Sequence, residues 1–289
     1  MLKMKIATVI LNYNDSTTTT KLLNKIKEYK ILNKIIIVDN NSTDNSYQEL
    51  KKYESEKIDV IKNDTNKGYA SGNNFGAFWA IKKYGVQYIL IANPDIEFDE
   101  ITVKKIINEL EKGDKYAIGT AKMFGQNNSW KLPKFTDNVA SMFLGISKIK
   151  EKIRRLHEKK KMTKHEEVDV VAGSFFIIKS EVFKKIHGFC EDTFLYCEEN
   201  ILAKKLKDEG YKTIILNDCI YYHYHSISIK KAYSSKIPPF KIYCNSVRVY
   251  NDFLKINKFE KIIFEIFYYI AYVERICYDF IIKRTMRRE

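Results

Sequence analysis

Val86 to Phe98 reads VQYILIANPDIEF and contains the clearest strand pattern of the chain. Its apolar run ends abruptly at Asn93, Pro94 and Asp95, and a short apolar run bounded by turn residues is typical of a buried strand in a parallel sheet. In open α/β sheets, ligands bind outside the carboxyl ends of the strands. The pattern therefore predicts that Asp95 binds a divalent cation that also contacts phosphate oxygens. An ordinary strand-exit turn is the alternative.

Three more strands are predicted before this one, and a helical pattern follows each of them. The strands cover residues 5–13, 34–38 and 58–61. Strands that alternate with helices form βαβ units, so the fold class is α/β with a mainly parallel sheet flanked by helices. We predict a main domain over residues 1–235, with halves at 1–100 and 101–235, and a C-terminal helical segment at 236–289.

The charge balance of the chain points to an anionic partner. Its 289 residues carry 50 basic and 36 acidic side chains, a formal net charge of +14. Such an excess suits nucleic acid, a phosphorylated substrate or an acidic lipid surface. The five cysteines are irregularly spaced and include no CxxC pair, which argues against a disulfide framework or a zinc site and predicts a reducing, cytoplasmic location. The N-terminus lacks a cleavage signal, so no signal peptide is predicted.

Polar residues follow the first two predicted strands. Asn12 and Asn14 end the first, and Asp39 and Asn41 end the second. An Asp after a parallel strand can accept a hydrogen bond from a ribose hydroxyl or a base N–H. A turn Asp that bonds its own backbone is an equally good interpretation of Asp39 alone.

The segment 66–76, NKGYASGNNFG, opens the third predicted helix. It matches neither GxGxxG nor a P-loop, so those two kinds of nucleotide recognition are not indicated. Its glycines allow close approach of the backbone to a phosphate or sugar, and its asparagines provide amides.

Four segments, VILNYN, VDNNSTDNS, NKGYASGNNFG and ANPDIEF, resemble in order and spacing the donor half of inverting family 2 glycosyltransferases. The resemblance is strongest to the rhamnosyltransferase-like branch, whose metal motif is NPD. It implies a GT-A fold, a UDP- or dTDP-linked sugar donor, and Mg²⁺ or Mn²⁺ at Asp95. The donor-binding positions it implies are Asn12, Asn14, Asp39, Asn41, Asn66, Gly68, Gly72, Asn73 and Asn93.

Glu198 and Glu199 open a later amphipathic helix. Acidic residues in a first helical turn are favoured by the helix dipole, which is the structural interpretation. Glycosyl transfer also needs a general base for the acceptor hydroxyl, and a carboxylate beside a cleft suits that role. The family resemblance assigns the base to Glu199. Family members often have Asp at one of the next two positions, where this chain has Asn200 and Ile201.

Two other features accompany the predicted base. Residues 172–174, AGS, lie in the middle of a predicted strand, and the resemblance implies that they adjoin the donor sugar and the acceptor. His223 and His225 would point to the same side of a strand, as metal or phosphate ligands do. The family has a comparable histidine near the metal, and the sequence does not decide between the two.

The C-terminal segment has its own character. Residues 262–282 include seven aromatic side chains but also four charges, too many for an ordinary membrane-spanning helix. With the basic residues that follow, the segment fits an interfacial helix on an anionic membrane. A helix packed on the catalytic domain or in a homodimer is equally consistent. The basic run at 148–164 has two interpretations, a solvated surface or an electropositive flank facing lipid headgroups or a pyrophosphate-linked acceptor.

Together these observations predict a metal-dependent inverting glycosyltransferase of surface-polysaccharide assembly. Its acceptor would be a glycan or a polyprenyl-diphosphate-linked chain, and it would lie in the cytoplasm at the inner face of the membrane. The NPD motif suggests rhamnose as the sugar. A non-catalytic nucleotide-sugar binder is an alternative, prompted by Asn200 and Ile201. A nucleic-acid-binding protein is less favoured, because the clustered basic residues carry no RRM, KH or helix-turn-helix signature.

Overall fold

The computed structural model describes residues 5–146, 163–224 and 235–286. The strands in these residues are β1 (Ile6–Asn12), β2 (Lys34–Asp39), β3 (Ile58–Lys62), β4 (Tyr88–Ala92), β5 (Ile96–Glu97), β6 (Tyr116–Met123), β7 (Ser129–Trp130), β8 (His165–Val168), β9 (Val170–Val171), β10 (Phe175–Lys179) and β11 (Lys212–His223). The helices are α1 (Ser16–Ile26), α2 (Ser46–Lys51), α3 (Tyr69–Tyr84), α4 (Glu100–Leu110), α5 (Phe135–Ser141), α6 (Ser180–Lys185), α7 (Glu198–Asp208), α8 (Ile237–Phe253) and α9 (Lys258–Met286).

The chain divides into two compact units. The first contains all of these strands together with α1 to α4, α6 and α7, and the second contains α5, residues 195–197, α8 and α9. The C-terminal segment predicted as a separate part thus belongs to a unit that also includes an earlier helix. Residues 148–162, most of the predicted basic run at 148–164, lie outside the described residues.

The central sheet of the first unit has the order β3-β2-β1-β4-β10-β6-β11, and β8 and β5 also pair with β11. Strands β1 to β4 are mutually parallel, as are β6 and β11. Strand β10 is antiparallel to both of its neighbours, β4 and β6. The predicted mainly parallel sheet flanked by helices is confirmed.

The predicted strands are continuous apolar runs because both faces of the sheet are covered. Along β2, Ile35 and Ile37 belong to one hydrophobic core, whereas Ile36 and Val38 belong to the core on the opposite face. All five residues of β4 are buried. Such burial on two faces is typical of strands covered by helices on both sides.

The prediction of one strand around residues 172–174 is wrong. The structure has two short strands there, β9 and β10, separated by 172–174, and α6 follows directly. The break arises because the backbone of Gly173 bonds side chains from elsewhere: its N–H donates to Glu199 and its carbonyl accepts from Tyr69. The last strand, β11, runs from Lys212 to His223 and has a register shift after Leu216.

The second unit is helical in the residues described. Helices α8 and α9 pack together, and the Arg275 guanidinium lies 3.8 Å from the centroid of the Phe240 ring. Stacked Phe240 and Tyr268 rings extend the contact. Within the described ranges, each helix is too short or too polar to be a candidate for crossing a membrane.

Candidate functional site

Asn12 and Asp39 lie side by side at the carboxyl ends of β1 and β2. Asn12 Nδ2 donates to Asp39 Oδ2 at 3.1 Å, and the Ser42 N–H donates to Asp39 Oδ1 at 2.9 Å. The hydroxyl of Thr19 donates to Asn12 Oδ1 at 2.8 Å. Both strand-end side chains are fully buried. Asp39 therefore orders the loop after β2, and its contact with a nucleotide base stays a prediction.

The two other predicted asparagines of these loops have left-handed backbones. Asn14 has φ 52° and Asn41 has φ 60°, values that Asn tolerates better than most residues. Asn14 also joins the two loops, since its side chain accepts from the Thr43 N–H at 2.8 Å and its N–H donates to Ser42 Oγ at 3.0 Å. Asn14 and Asn41 thus shape the loops after β1 and β2, where the sugar donor is predicted to bind.

Asn40, which the sequence analysis did not single out, connects this loop to the segment before α3. Its Nδ2 donates to Asn66 Oδ1 at 2.9 Å and to the Gly68 carbonyl at 3.2 Å, and its Oδ1 accepts from Asn63 at 2.8 Å. Asn66 Oδ1 also accepts from the Gly68 N–H. We term Asn12, Asp39, Asn40, Asn63 and Asn66 the amide network. The sequence signal that could have identified Asn40 is an Asn directly after the end of a predicted strand.

The glycine-bearing segment is used for packing. Gly68 has φ 97°, and a Cβ there would lie 2.0 Å from the Phe194 carbonyl oxygen. A Cβ at Gly72 would lie 2.3 Å from Leu11. Gly72 thus allows close packing of α3 on the sheet, and an approach of its backbone to a phosphate or sugar stays a prediction. Asn73 is buried and donates to the Tyr69 carbonyl, so a donor contact from it stays a prediction.

Asp95 and His223 meet next to the paired strands β5 and β11. His223 Nε2 lies 3.2 Å from Asp95 Oδ1, and each side chain is 11% exposed. The Tyr224 N–H donates to the Asp95 carbonyl at 3.0 Å, which fixes the backbone around the pair. His225 lies outside the described residues, so His223 is the candidate that the structure brings to Asp95.

Asp95 and His223 are chemically suited to a divalent cation. A carboxylate suits Mg²⁺ and Mn²⁺, and an imidazole is a further ligand for a first-row metal. Within the described residues, no cluster of three or more His, Cys, Asp or Glu side chains could hold a metal. This pair would therefore leave several coordination positions to a diphosphate and water.

Asn93 anchors the 172–174 turn beside the NPD motif. Its N–H donates to the Ser174 carbonyl at 2.8 Å. The Ser174 hydroxyl lies 3.0 Å from the hydroxyl of Tyr221, whose pKa burial raises to about 12. The end of β4 and the start of β10 thus lie together, as antiparallel neighbours must.

Glu199 lies in the first turn of α7 and approaches the same turn. The Gly173 N–H donates to Glu199 Oε1 at 3.1 Å, and the Tyr69 hydroxyl donates to the Gly173 carbonyl at 2.7 Å. Burial raises the pKa of Glu199, and backbone N–H donors partly oppose that rise. Burial, followed by the charge of Glu199, raises the pKa of Tyr69 well above its usual value. We term Asp95, Gly173, Glu199 and His223 the carboxylate edge.

The two predicted acids differ in exposure. Glu198 is 3% exposed, whereas Glu199 is half-buried and retains access to solvent, so Glu199 is the better candidate for contact with a ligand. The neighbouring Asn200 accepts a hydrogen bond from Trp130 Nε1 at 2.8 Å. The amide of Asn200 thus has a structural partner.

Known proteins resemble this chain in sequence. It is 27% identical to the rhamnosyltransferase WbbL of Escherichia coli K12 over 212 residues, which are 70% of this chain and 76% of WbbL. It is 24% identical to the low-salt glycan biosynthesis hexosyltransferase Agl10 of Haloferax volcanii over 196 residues, 66% of this chain and 58% of Agl10.

Solved structures resemble it in fold. GalNAc-T7 with UDP, GalNAc and Mn²⁺ matches with a TM-score of 0.58 at 15% identity, over 76% of this chain and 44% of that one. Staphylococcus aureus TarS 1-349 in complex with UDP-GlcNAc matches with a TM-score of 0.56 at 16% identity, over 88% of this chain and 68% of that one. The chain spans 37% of another matched TarS chain. The expected GT-A architecture is confirmed.

A family model covers most of the first unit and more than half of the chain. The model is that of glycosyl transferase family 2, and it matches residues 8–187. The matched range includes the amide network, the NPD motif and the turn at Gly173. The protein therefore belongs to glycosyl transferase family 2.

Proposed function

We propose that the protein is a metal-dependent inverting hexosyltransferase that acts on a nucleotide-diphosphate sugar. Its acceptor is a hydroxyl of a glycan or of a polyprenyl-diphosphate-linked chain in surface-polysaccharide assembly, reached from the cytoplasm. The observation that carries the proposal is the half-buried Glu199 carboxylate, held by the Gly173 N–H in the turn that Asn93 anchors beside the NPD motif. A carboxylate with a raised pKa at such an edge suits a general base.

In the proposed reaction Glu199 accepts the proton of the acceptor hydroxyl. The acceptor oxygen then forms a bond to the anomeric carbon, and the bond from that carbon to the diphosphate oxygen breaks on the opposite face. The configuration therefore inverts, and the nucleoside diphosphate leaves. Asp95 and His223 would hold Mg²⁺ or Mn²⁺ on the diphosphate. A bound cation supplies charge neutralisation to the leaving group.

The amide network orients the nucleotide in this proposal. Its side chains form two bonded groups, Asn12 with Asp39 and Asn40 with Asn63 and Asn66, and backbone bonds join the groups, so the loops after β1, β2 and β3 keep one shape before a ligand arrives. Asn14 and Asn41 border the same loops and provide polar groups for the ribose or base. Asp39 holds the loop after β2 in place through its hydrogen bonds with Asn12 and Ser42.

UDP and dTDP are the two donor nucleotides that we propose. The names of the sequence relatives, a rhamnosyltransferase and a hexosyltransferase, support transfer of a hexose, with rhamnose as the specific candidate. The fold neighbours that hold UDP and UDP-GlcNAc support a uridine nucleotide. The NPD motif supports dTDP-rhamnose. Measured nucleotide preference would separate these possibilities.

Calorimetric titration of the purified protein with UDP and with dTDP, each with and without Mn²⁺, tests the donor site. We expect Mn²⁺ to tighten binding of one nucleotide by about fivefold or more, in line with about 1–3 kcal/mol of coupling. Asp95→Ala should abolish that metal-dependent gain. Asp114→Ala, which removes an exposed carboxylate from the turn between α4 and β6, is the matched control and should retain it.

Two results would contradict the proposal in different ways. Absence of nucleotide binding, with salt-sensitive binding to random oligonucleotides, would support the nucleic-acid alternative. Tight metal-dependent binding without hydrolysis of the donor or transfer to any acceptor would support the non-catalytic binder. Release of nucleoside diphosphate from UDP- or dTDP-sugars excludes that second alternative.

A further inference from the structure

Helix α9 has one buried face and one exposed apolar face. Phe264, Ala271 and Arg275 are buried on one face. On the opposite face a row of large apolar side chains is exposed, at spacings of three or four residues along the helix. The row, which we term the apolar stripe, comprises Phe259, Ile262, Ile266, Tyr269, Ile270, Val273, Ile276 and Phe280. It extends for about 30 Å at the helical rise per residue.

The charges of this segment do not lie on the stripe. Every exposed residue from 262 to 280 is uncharged, whereas the four charged residues in that interval are half-buried or buried. Three of them bond groups of the same unit: Glu265 with Arg248, Glu274 with the Leu144 N–H, and Asp279 with the Ser235 hydroxyl. The four charges that exclude a spanning helix therefore leave the exposed face of α9 uncharged from Ile262 to Phe280, and exposed Lys261 lies at its N-terminal end.

We propose that the apolar stripe lies in the interface of an anionic bilayer, with α9 parallel to the membrane plane. An interfacial helix buries one apolar face among the headgroups and acyl chains and keeps its charges on the other side. Contiguous exposed apolar surface of this length on a soluble unit marks an interaction site. The inference goes beyond the proposed catalytic function and stands on this helix alone, so either can fail without the other.

Charge favours lipid over a second copy of the chain. Exposed Lys258 begins the helix, and Lys283, Arg284, Arg287 and Arg288 follow the stripe in the sequence. Both ends of the stripe are therefore basic. Two copies paired along it, parallel or antiparallel, would bring like charges together. An anionic membrane surface would instead attract both ends.

Cys277 provides a direct probe, because it is exposed on the stripe side of α9 while the other four cysteines are buried. The rate of Cys277 alkylation by a maleimide can be measured with vesicles of phosphatidylcholine alone and with phosphatidylglycerol added. We expect the anionic vesicles to bind the full chain in flotation and to slow alkylation about tenfold, as burial among lipid predicts.

A variant pair locates the contact. Val273→Asp places a charge in the middle of the stripe and should weaken vesicle binding by about tenfold or more. Ile101→Asp is the matched control on α4, since Ile101 is 62% exposed and Val273 is 56% exposed. It should bind as the wild type does. Thermal unfolding should show that both variants fold.

Three outcomes would overturn the proposal. Flotation without protection of Cys277 would assign binding to basic residues elsewhere. Wild-type binding by Val273→Asp would exclude the stripe. Protection of Cys277 that rises with protein concentration in the absence of vesicles, with a dimer in sedimentation, would assign the stripe to a second copy.

Discussion

The amide network and the carboxylate edge both lie where strands of one sheet end, but their polar groups are in different environments. In the amide network the side chains satisfy one another, as Asn40 does through Asn63, Asn66 and Gly68. In the carboxylate edge, burial raises the pKa of Glu199. Mutually satisfied groups fix the shape of a loop, whereas a carboxylate partly withdrawn from water is prepared to take a proton.

The largest expected effect comes from Glu199→Gln. The substitution keeps the size of the side chain and an acceptor for the Gly173 N–H, but it removes the base. General-base catalysis contributes about 10²–10⁴ to a rate, so kcat should fall by that range while the Kd for nucleotide changes little. Single-turnover transfer assays and calorimetry would measure the two quantities. Near wild-type turnover would contradict the assignment.

Glu199→Gln should lower kcat, but it should raise stability relative to the wild type as pH increases. Burial raises the pKa of Glu199 in the folded state, so its stabilising contribution is present below the unfolded pKa and is lost as pH rises through the folded pKa. Gln has no such loss. The Tm of Glu199→Gln should therefore rise relative to the wild type as pH increases from the acid range to neutrality, and a constant Tm difference would disagree.

Gly173→Ala should have the next largest effect, because it disturbs the geometry of the edge without removing a functional group. A Cβ at this position would lie 2.7 Å from Glu199 Oε1 and 3.0 Å from the Tyr69 hydroxyl. Displacement of a positioned group can lower a rate about tenfold to a hundredfold. We expect kcat to fall, whereas the KM for the donor should remain unchanged. Gly145→Ala is the control, since a Cβ there meets nothing within 4 Å.

Asn40→Ala should act on stability rather than on chemistry. It removes a 3% exposed side chain that bonds three groups, and unsatisfied buried groups cost about 1–3 kcal/mol. Urea unfolding should show this loss, together with weaker nucleotide binding. Asn24→Ala, on the exposed side of α1, should change stability by about 0.5 kcal/mol or less. Equal stability of the two variants would show that the network is dispensable.

The smallest effect is expected for Asn200→Asp. Asp keeps an oxygen acceptor for Trp130 Nε1 but places a negative charge next to Glu199, which raises the pKa of that carboxyl further. The acidic limb of the pH–rate profile should move to higher pH with little change in the plateau rate. Asn200→Ala instead leaves the indole N–H without this acceptor and should cost about 1 kcal/mol. If the acidic limb of the pH–rate profile does not move, a charge at residue 200 does not affect the pKa of the catalytic base.

The fold was predictable where local signals suffice. Strands β1 to β4 are apolar runs that stop at turn residues, and burial on two faces makes such runs continuous. Residues 168–179 could not be divided correctly from sequence, because VDVVAGSFFIIK is also a plausible single strand. The break at Gly173 depends on Tyr69 and Glu199, which are distant in the chain.

The candidate site shows the same limit. Asp95, His223 and Glu199 could be chosen because their residue types and positions fit the chemistry, and the structure brings Asp95 and His223 together. Asn40 was missed because its importance lies in partners 23 to 28 residues away. The packing role of Gly72 could not be foreseen either, since it depends on the side chain of Leu11 across the helix–sheet contact.

The antiparallel insertion of β10 has a consequence for biosynthesis. Strands β1 to β4 leave the ribosome first, but β4 gains its second neighbour only when Phe175 pairs with Ala92. Glu199 and His223 follow later still. Contacts that close such long loops form slowly. A nascent chain that ends after β4 therefore contains the loops that border the nucleotide but lacks the groups proposed for transfer, so activity can arise only after almost the whole first unit has been synthesised.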